Sequence, residues 1–534
     1  MLDAAQLEVM RQALTAIPEE MGVVLVRSAY SPNIKERRDA SCALFDPRGR
    51  MVAQAEHIPV HLGSMPMAVE SLLETGDEIG PGDAWIVNDP YTGGSHLNDV
   101  TVISAVHAGD DLLGFAVNKA HHADVGGSAP GSMPAAATSL DEEGLVLHIQ
   151  RLTRGGQWVG DARERLLEAS RTPVERRGDL GAQVSANFTG GRGLQAFVAK
   201  HGADRWRGFC DQVVEYSRRR MLAAIGSLAP GTYRSEGTIE APGAVPDLPG
   251  ISVPDMGDVR IVVEVTVSPE GVVFDLSGTD GQVNAPWNAP YSVTLSAVYF
   301  ALRTMTDPGI PPNHGCYVPV EVRCPRGSLL NPEPPAPVGA GNVETSQILA
   351  GVCLDAFGQA TREGTVAGSQ GTMNNVLIGA TGERSYSFYE TLGGGEGGSP
   401  WRAGMSGVHT HMTNTANTPV EALEASYPLR VSGLRLGGSP GGEGRWPGGA
   451  GIVKELLVLE AGATLTLLTD ARVRPPTGVA GGGDGIPGRN LLVRDGAEHT
   501  LPSKCTLPLE AGDLLRIETP SGAGWGRRDS RKLD

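Results

Sequence analysis

The sequence predicts an α+β protein: a multi-part mixed fold with an N-terminal metal site built on a hairpin, a helical middle, and a large glycine-rich, β-rich C-terminal portion. Three observations carry this reading. Two apolar, β-branched runs, Val100 to Val106 and Leu112 to Val117, flank the turn-forming Ala108-Gly109-Asp110-Asp111, which is a hairpin signature. Residues from about 160 to 228 carry helical patterning, with Trp206 to Leu228 ending at Ala229-Pro230-Gly231. Beyond 370, short β-type runs are punctuated by Gly393-Gly394-Gly395, Gly437-Gly438, Gly441-Gly442 and Gly481-Gly482-Gly483.

Taken in order, Leu7, Met10, Leu14, Ile17, Met21 and Val24 recur at three- or four-residue steps and predict an amphipathic helix over 4–30. Ala40 to Phe45 and Met51 to Ala55, joined by Asp46-Pro47-Arg48-Gly49, predict a hairpin. A helix is expected over 60–75 and a strand at Trp85 to Val87. Residues 232–277 alternate like strands, and helices follow near 291–305 and 344–361. At 534 residues the chain exceeds one ordinary core, and three domains are expected: 1–230 with the metal site and a helical segment, 231–370 mixed, and 371–534 β-rich.

The hairpin has a chemical consequence. The segments on its two sides, Asn88 to Asp99 and Asn118 to Gly127, hold most of the metal-type ligands. A hairpin returns to its start, so His96 and Asp99 come near His121 although 25 residues separate the two histidines. Asp39 opens the neighbouring strand after Lys35-Glu36-Arg37-Arg38. Asp39, His96, Asp99 and His121 would form an N2O2 set without sulfur, suited to Zn, Mn or Fe. The alternative is that Asp99 caps a turn and His121 is a satisfied, partly buried histidine. His122 and Asp124 stand beside this set as alternative ligands or as partners of the ligands.

Two further histidine pairs stand out. His409 and His411 alternate with apolar neighbours, so on a strand they would share one face. They lie in a run with Asn414, Asn417 and several threonines that would position a polar substrate, supply a general acid or base near neutral pH, or form a hydrogen-bonded loop. His57 and His61 bracket Ile58-Pro59-Val60 and read more readily as structural than as a pocket lining.

The bulk composition excludes several classes. With 44 basic and 61 acidic residues the net charge is −17, which disfavours nucleic acid and anionic membrane as partners. No run of 18 apolar residues predicts a membrane span, and the N-terminus lacks signal-peptide regions. Cys42, Cys210, Cys316, Cys324, Cys353 and Cys505 form no CxxC and read as reduced thiols of a cytoplasmic protein. No phosphate-binding loop, Rossmann fingerprint or nucleophile elbow is present.

The residues also resemble a known family, hydantoinase B/oxoprolinase, over nearly the whole length. The resemblance rests on Glu36 to Ala43, Asn88 to Val100, Asn118 to Gly127, Asp179 to Gln183, Val283 to Pro286, Gly341 to Gln347, Tyr389 to Gly395 and His409 to Glu421. It implies the B-type subunit of an ATP-dependent hydrolase of cyclic amides such as hydantoin, 5-oxoproline or a lactam. A partner A-type subunit would use the ATP and phosphorylate the ring carbonyl oxygen; this chain would bind no ATP. One divalent metal ion, zinc first and manganese or iron next, would be held by Asp39, His96, Asp99 and His121 and would activate a water. Asp124 or His122 would take its proton. His409 and His411 would serve as catalytic groups that also orient the ring or its phosphate, and Asn414 and Asn88 would bind the substrate. Acetone and acetophenone carboxylases are similar, so a carboxylase subunit is the second reading, and a non-catalytic scaffold for the A-type subunit is the third.

Overall fold

A computed structural model describes residues 2–55, 58–362, 364–382, 384–437 and 440–528. The chain opens with helix Ala4–Ser28, started by a capping box between Asp3 and Gln6. Met10, Leu14, Ile17, Met21 and Leu25 are buried along one stripe of it. Seven strands then build the sheet that carries the site: β1 (Ala40–Phe45), β2 (Met51–Ala55), β3 (Ala84–Val87), β4 (Asp99–Ala108), β5 (Asp111–His121), β6 (Gln150–Arg154) and β7 (Gln157–Trp158). Their order is β2-β1-β5-β4-β3-β6-β7, and the pairs within it are antiparallel.

Both faces of this sheet are covered, and the two-residue period of a strand decides which side chain goes where. One face, with Cys42, Leu44, Ala116 and Ala120, packs under helices Ala4–Ser28, Pro173–His201 and Ala203–Ile225. Gly190 permits the first two helices to meet, since a Cβ there would lie 2.3 Å from Met21 Sδ. The other face, with Ala43, Phe45, Phe115 and Val117, joins the largest apolar core, together with helices Ser64–Glu74, Tyr291–Met305 and Ser346–Gly358.

That core also takes in a second sheet, β8 (Gly231–Ile239), β9 (Val259–Ser268), β10 (Gly271–Asp275) and β11 (Val320–Arg323), in the order β11-β10-β9-β8. Downstream, Asn375–Ala380, Tyr386–Thr391, Ala463–Leu468 and Lys504–Leu509 make a four-stranded sheet. Leu429–Leu436, Ile452–Val458, Arg489–Arg494, Ala497–Thr500 and Leu514–Glu518 make a five-stranded one. The class is therefore α+β, as the sequence predicts. Where a plain helix is expected near 344, a π-helical turn, Gly341–Thr345, leads into helix Ser346–Gly358. Among the described residues no helix is long and apolar enough to cross a membrane.

Candidate metal centre

Strand register assembles the centre. Asp99, the first residue of β4, lies opposite His121, the last residue of β5. β1 runs along the other side of β5 with Ala40 opposite Ala120, and the His121 amide donates to the Asp39 carbonyl at 3.0 Å. His96 is folded back by a turn in which the Asp99 amide donates to its carbonyl at 3.0 Å. Val117, Lys119 and His121 share one face of β5 by alternation, so His121 points toward the largest core and His122 away from it.

Three side-chain atoms converge. His96 Nε2 lies 3.0 Å from Asp99 Oδ1 and 3.1 Å from His121 Nδ1, and His121 Nδ1 lies 3.3 Å from Asp99 Oδ1. Among the described residues these form a His/Asp group whose ligand atoms all fall within 4.8 Å of one another. Asp39 Oδ2 stands next to them, 4.0 Å from His121 Nδ1. The other oxygen of Asp99 accepts from Ser95 Oγ at 2.6 Å, lies 3.4 Å from Asn342 Nδ2 and 3.5 Å from His61 Nε2. His61 is fixed from behind by Ser41 Oγ, 2.9 Å from Nδ1. Tyr389 stacks on the His121 ring, 4.9 Å between centroids, with the Arg37 guanidinium 4.4 Å from the centre of the same tyrosine.

This triangle fits a cation better than it fits protons. A neutral imidazole nitrogen is either a donor or an acceptor, and an ionised carboxylate oxygen only accepts. Three atoms in mutual contact cannot alternate these roles, so without a cation one edge sets like against like. Tetrahedral ligands at about 2.0–2.1 Å from an ion stand roughly 3.3 Å apart, which is the spacing found. The electrostatics agree. Burial opposes the charge on Asp99, but the His96 charge and hydrogen bonds with His121, His61 and His96 outweigh it and hold the carboxyl well below its usual range. Burial pushes His121 down, toward the neutral, ligating form. Lys119, fully buried beneath, is pushed down to about 8 by burial, partly offset by Asp99. Its Nζ donates to Ser95 Oγ at 3.3 Å.

The remaining residues singled out in the sequence fall elsewhere. Asp124 is a loop organiser: its two oxygens accept from the Gly126, Gly131 and Arg171 amides and from the Arg171 guanidinium, at 3.0–3.1 Å. With four donors on its two oxygens, Asp124 has no lone pair left to take a proton from a water, so it is not the base. His122 faces helix Pro173–His201, with Nε2 2.9 Å from Gln183 Oε1. Burial and Arg176 push it down to about 4; just past the end of β5 and turned toward Gln183, it stays outside the triangle of His96, Asp99 and His121. Asn88 spends its amide on Leu97 O, Leu145 O and the Leu147 amide, at 2.7, 2.9 and 2.6 Å, so it is a structural tie and not a substrate contact.

His409 and His411 do not share a strand face, because 409–413 is irregular and His411 sits in a turn at φ 56°. His409 has both ring nitrogens buried without hydrogen-bond partners, and burial with Arg37 pushes it down to about 4. Met412 and Thr413 instead line a cavity of about 20 Å³ above Asp39, Asp99 and His121. Asn414 is exposed, and His57 lies outside the described residues. Sequence reasoning underrated His61, Arg37, Tyr389 and Asn342. Their signals were the His57/His61 pair and the segments around 37, 342 and 389, but nothing in their spacing showed convergence.

A mixed α+β chain that gathers two imidazoles and one or two carboxylates at a sheet end, with no phosphate-binding loop, is a candidate metalloenzyme component. The chain belongs to the hydantoinase B/oxoprolinase family, whose model matches residues 3–528. It is 37% identical to 5-oxoprolinase 1 of Arabidopsis thaliana over 98% of this chain but 42% of that protein, so it spans about two fifths of the length of such relatives. A relative from Pseudomonas sp., named as the putative B-type component of a D-/L-hydantoinase, is 31% identical, covering 98% of this chain and 90% of the relative. Among solved structures, the ATP-dependent caprolactamase from Pseudomonas jessenii superposes with a TM-score of 0.89 at 27% identity, over 100% of this chain and 93% of that one.

Proposed function

We propose that this chain is the ring-opening component of an ATP-dependent cyclic-amide hydrolase. Its substrate would be a ring whose carbonyl oxygen has been phosphorylated on an A-type partner subunit. Family membership and the Pseudomonas relative named as one component of a multi-chain hydantoinase support the pairing. The sequence has no phosphate-binding loop of its own. The observation that carries the reading is the triangle of His96 Nε2, His121 Nδ1 and Asp99 Oδ1.

Those three atoms, with Asp39 alongside, would hold one divalent ion, with zinc, manganese and iron all compatible with an N/O set. Such an ion supplies Lewis acidity, which polarises a phosphoryl oxygen or acidifies a water. The chain's own residues do the rest. Ser95, itself bonded to Lys119, holds Asp99 Oδ2 and so turns Oδ1 toward the histidines. Tyr389 fixes the His121 ring plane. Arg37 and Lys119 bring two buried cations to the same end of the sheet, where they offset charge gathering on a departing phosphate. An unactivated amide is a poor electrophile, so the energy must come from ATP on the partner.

The test is elemental analysis of the wild-type protein beside His96→Ala, followed by turnover with an A-type partner, ATP and a panel of lactams, with and without bicarbonate. Near-stoichiometric metal that vanishes in the variant, with ring opening that ignores bicarbonate, is the expected result. Bicarbonate-dependent ATP use would make this a carboxylase subunit. A metal-free wild type after reconstitution would leave only a scaffold role.

A further inference from the structure

The π-helical turn Gly341–Thr345 is held at its head by a side chain from a distant loop. Glu143, 1% exposed, follows the turn Leu140–Glu142 on the connection from β5 to β6. Its Oε2 accepts from the Val338 amide at 3.0 Å and its Oε1 from the Gly339 amide at 2.8 Å. Glycine permits this approach, since a Cβ at Gly339 would lie 3.1 Å from Oε1. The Val338 carbonyl in turn accepts from the Gly341 and Asn342 amides at 3.0 and 3.3 Å. One carboxylate therefore satisfies two amides where a helical run begins, the end at which negative charge is favoured.

Asn342 is where this run reaches the centre. Its Nδ2 lies 3.4 Å from Asp99 Oδ2, and the residue lines the cavity with Asp39, Asp99 and His121. A carboxylate only accepts, so the amide must turn its NH2 to Asp99. The path from Glu143 to Asp99 is thus three bonds long: Glu143 to the Val338 amide, the Val338 carbonyl to the Asn342 amide, and the Asn342 side chain to Asp99. Both oxygens of Glu143 face N–H donors, so a proton on either sets O–H against N–H and costs one of the two bonds. Burial raises the carboxyl to about 7; the Gly339 and Val338 amides and the His96 charge pull it down, and Glu142 adds to the rise. Tyr91 also bears on it, and is itself pushed up by burial, Glu143 and Asp89. The neighbouring stretches 126–137 and 335–340 carry no titratable side chain.

We propose that Glu143 is a positioning residue for the metal centre: its ionised carboxylate sets the head of the π-helical turn and through it keeps Asn342 against Asp99. Protonation frees the Val338 or the Gly339 amide, and the turn, Asn342 and Asp99 loosen together. Metal affinity then rises with pH through neutrality beyond what the histidine ligands contribute. A bound cation favours ionised Glu143 in return, so the two events reinforce each other. The inference rests on the metal reading of the triangle and adds to it a control that lies outside the ligand set.

The experiment measures Zn²⁺ affinity of the purified chain by chelator competition at pH 6, 7 and 8, for wild type, Glu143→Gln, Asn342→Ala and the double variant. Protonation of His96 and His121 is common to all four, so the ratio of wild type to Glu143→Gln isolates Glu143. With the loss usual for groups that support metal ligands, that ratio should be about twofold at pH 6 and about tenfold or more at pH 8. In the Asn342→Ala background Glu143→Gln should cost nothing further. Metal-free wild type should also exchange its Val338 and Gly339 amide hydrogens more slowly than Glu143→Gln at pH 8. A ratio that stays flat from pH 6 to pH 8, losses that add in the double variant, or equal exchange would overturn the proposal. If Glu143→Gln does not fold, Asn342→Ala carries the test: its deficit against wild type should widen between pH 6 and pH 8, and a constant deficit overturns the proposal. Wild type that takes up no Zn²⁺ at any pH removes the metal reading itself, whereas uptake with a flat ratio removes the role of Glu143 alone.

Discussion

Glu344 offers the sharpest single test of the electrostatics around the centre. It sits in the π-helical turn two residues after Asn342 and is fully buried. Its Oε1 accepts from Thr372 Oγ1, the Met373 amide and Asn375 Nδ2 at 3.0, 3.0 and 2.7 Å, while Oε2 has no partner. Burial, then the charge of Asp470, raises its carboxyl from 4.5 to about 8. The folded protein therefore keeps this proton at pH 7 whereas the unfolded chain loses it near 4.5. A raised pKa means stability that is fully present below the unfolded value and lost as pH climbs to the folded one. The slope is about 1.4 kcal/mol per pH unit, so wild type should lose about 3 kcal/mol between pH 5 and pH 7 from this group alone. Glu344→Gln keeps the shape and the Oε1 acceptor but cannot titrate. Urea unfolding of the two proteins side by side at pH 5, 6 and 7 cancels the titrations they share. The variant should gain on wild type at each step, with the difference levelling above pH 8. A difference that stays flat across this window would falsify a protonated Glu344 in the folded state.

Other outcomes follow from the same geometry. His61→Ala removes a group 3.5 Å from Asp99 that is not itself in the triangle, and should weaken metal retention about 10–100-fold in a chelator competition; unchanged retention would remove His61 from the centre. Gly341→Ala drives a Cβ to 1.8 Å from Asn288 O, so about 2 kcal/mol or more of stability should go, and a neutral effect on the thermal midpoint would contradict this packing. Asn88→Ala strands two carbonyls and one amide, at about 1–3 kcal/mol each; it should cost stability, and a variant that unfolds like wild type but no longer binds lactam would restore the substrate role. Asp124→Asn weakens the Arg171 pair and should lower the thermal midpoint without abolishing metal binding.

The parts of this molecule that sequence exposes are those governed by short-range rules. Alternation and turn chemistry located β1, β2, β4 and β5 closely, and with them the approach of Asp99 to His121. The same alternation, applied to adjacent residues, separates His121 from His122, since neighbours on a strand cannot both face one site. What periodicity missed depends on distant partners. Nothing local tells that Asn88 is consumed by carbonyls at 97 and 145, or that Asp124 is claimed by Arg171. His409 and His411 invited a strand reading, but the left-handed backbone at His411 turns the chain and sends the two rings apart.

The centre is also a matter of timing. Its triangle is complete once residue 121 has been made, and the strands that hold it need nothing beyond residue 158. The groups that close the cavity, Tyr389, Thr391, Met412, Thr413 and Thr415, are synthesised more than 250 residues later. On a growing chain that part of the cavity lining is therefore missing for about half of synthesis. Once the C-terminal half docks, these residues complete the lining of the cavity. An ion taken up before that docking would record what was available during translation, more than what the mature site would select at equilibrium.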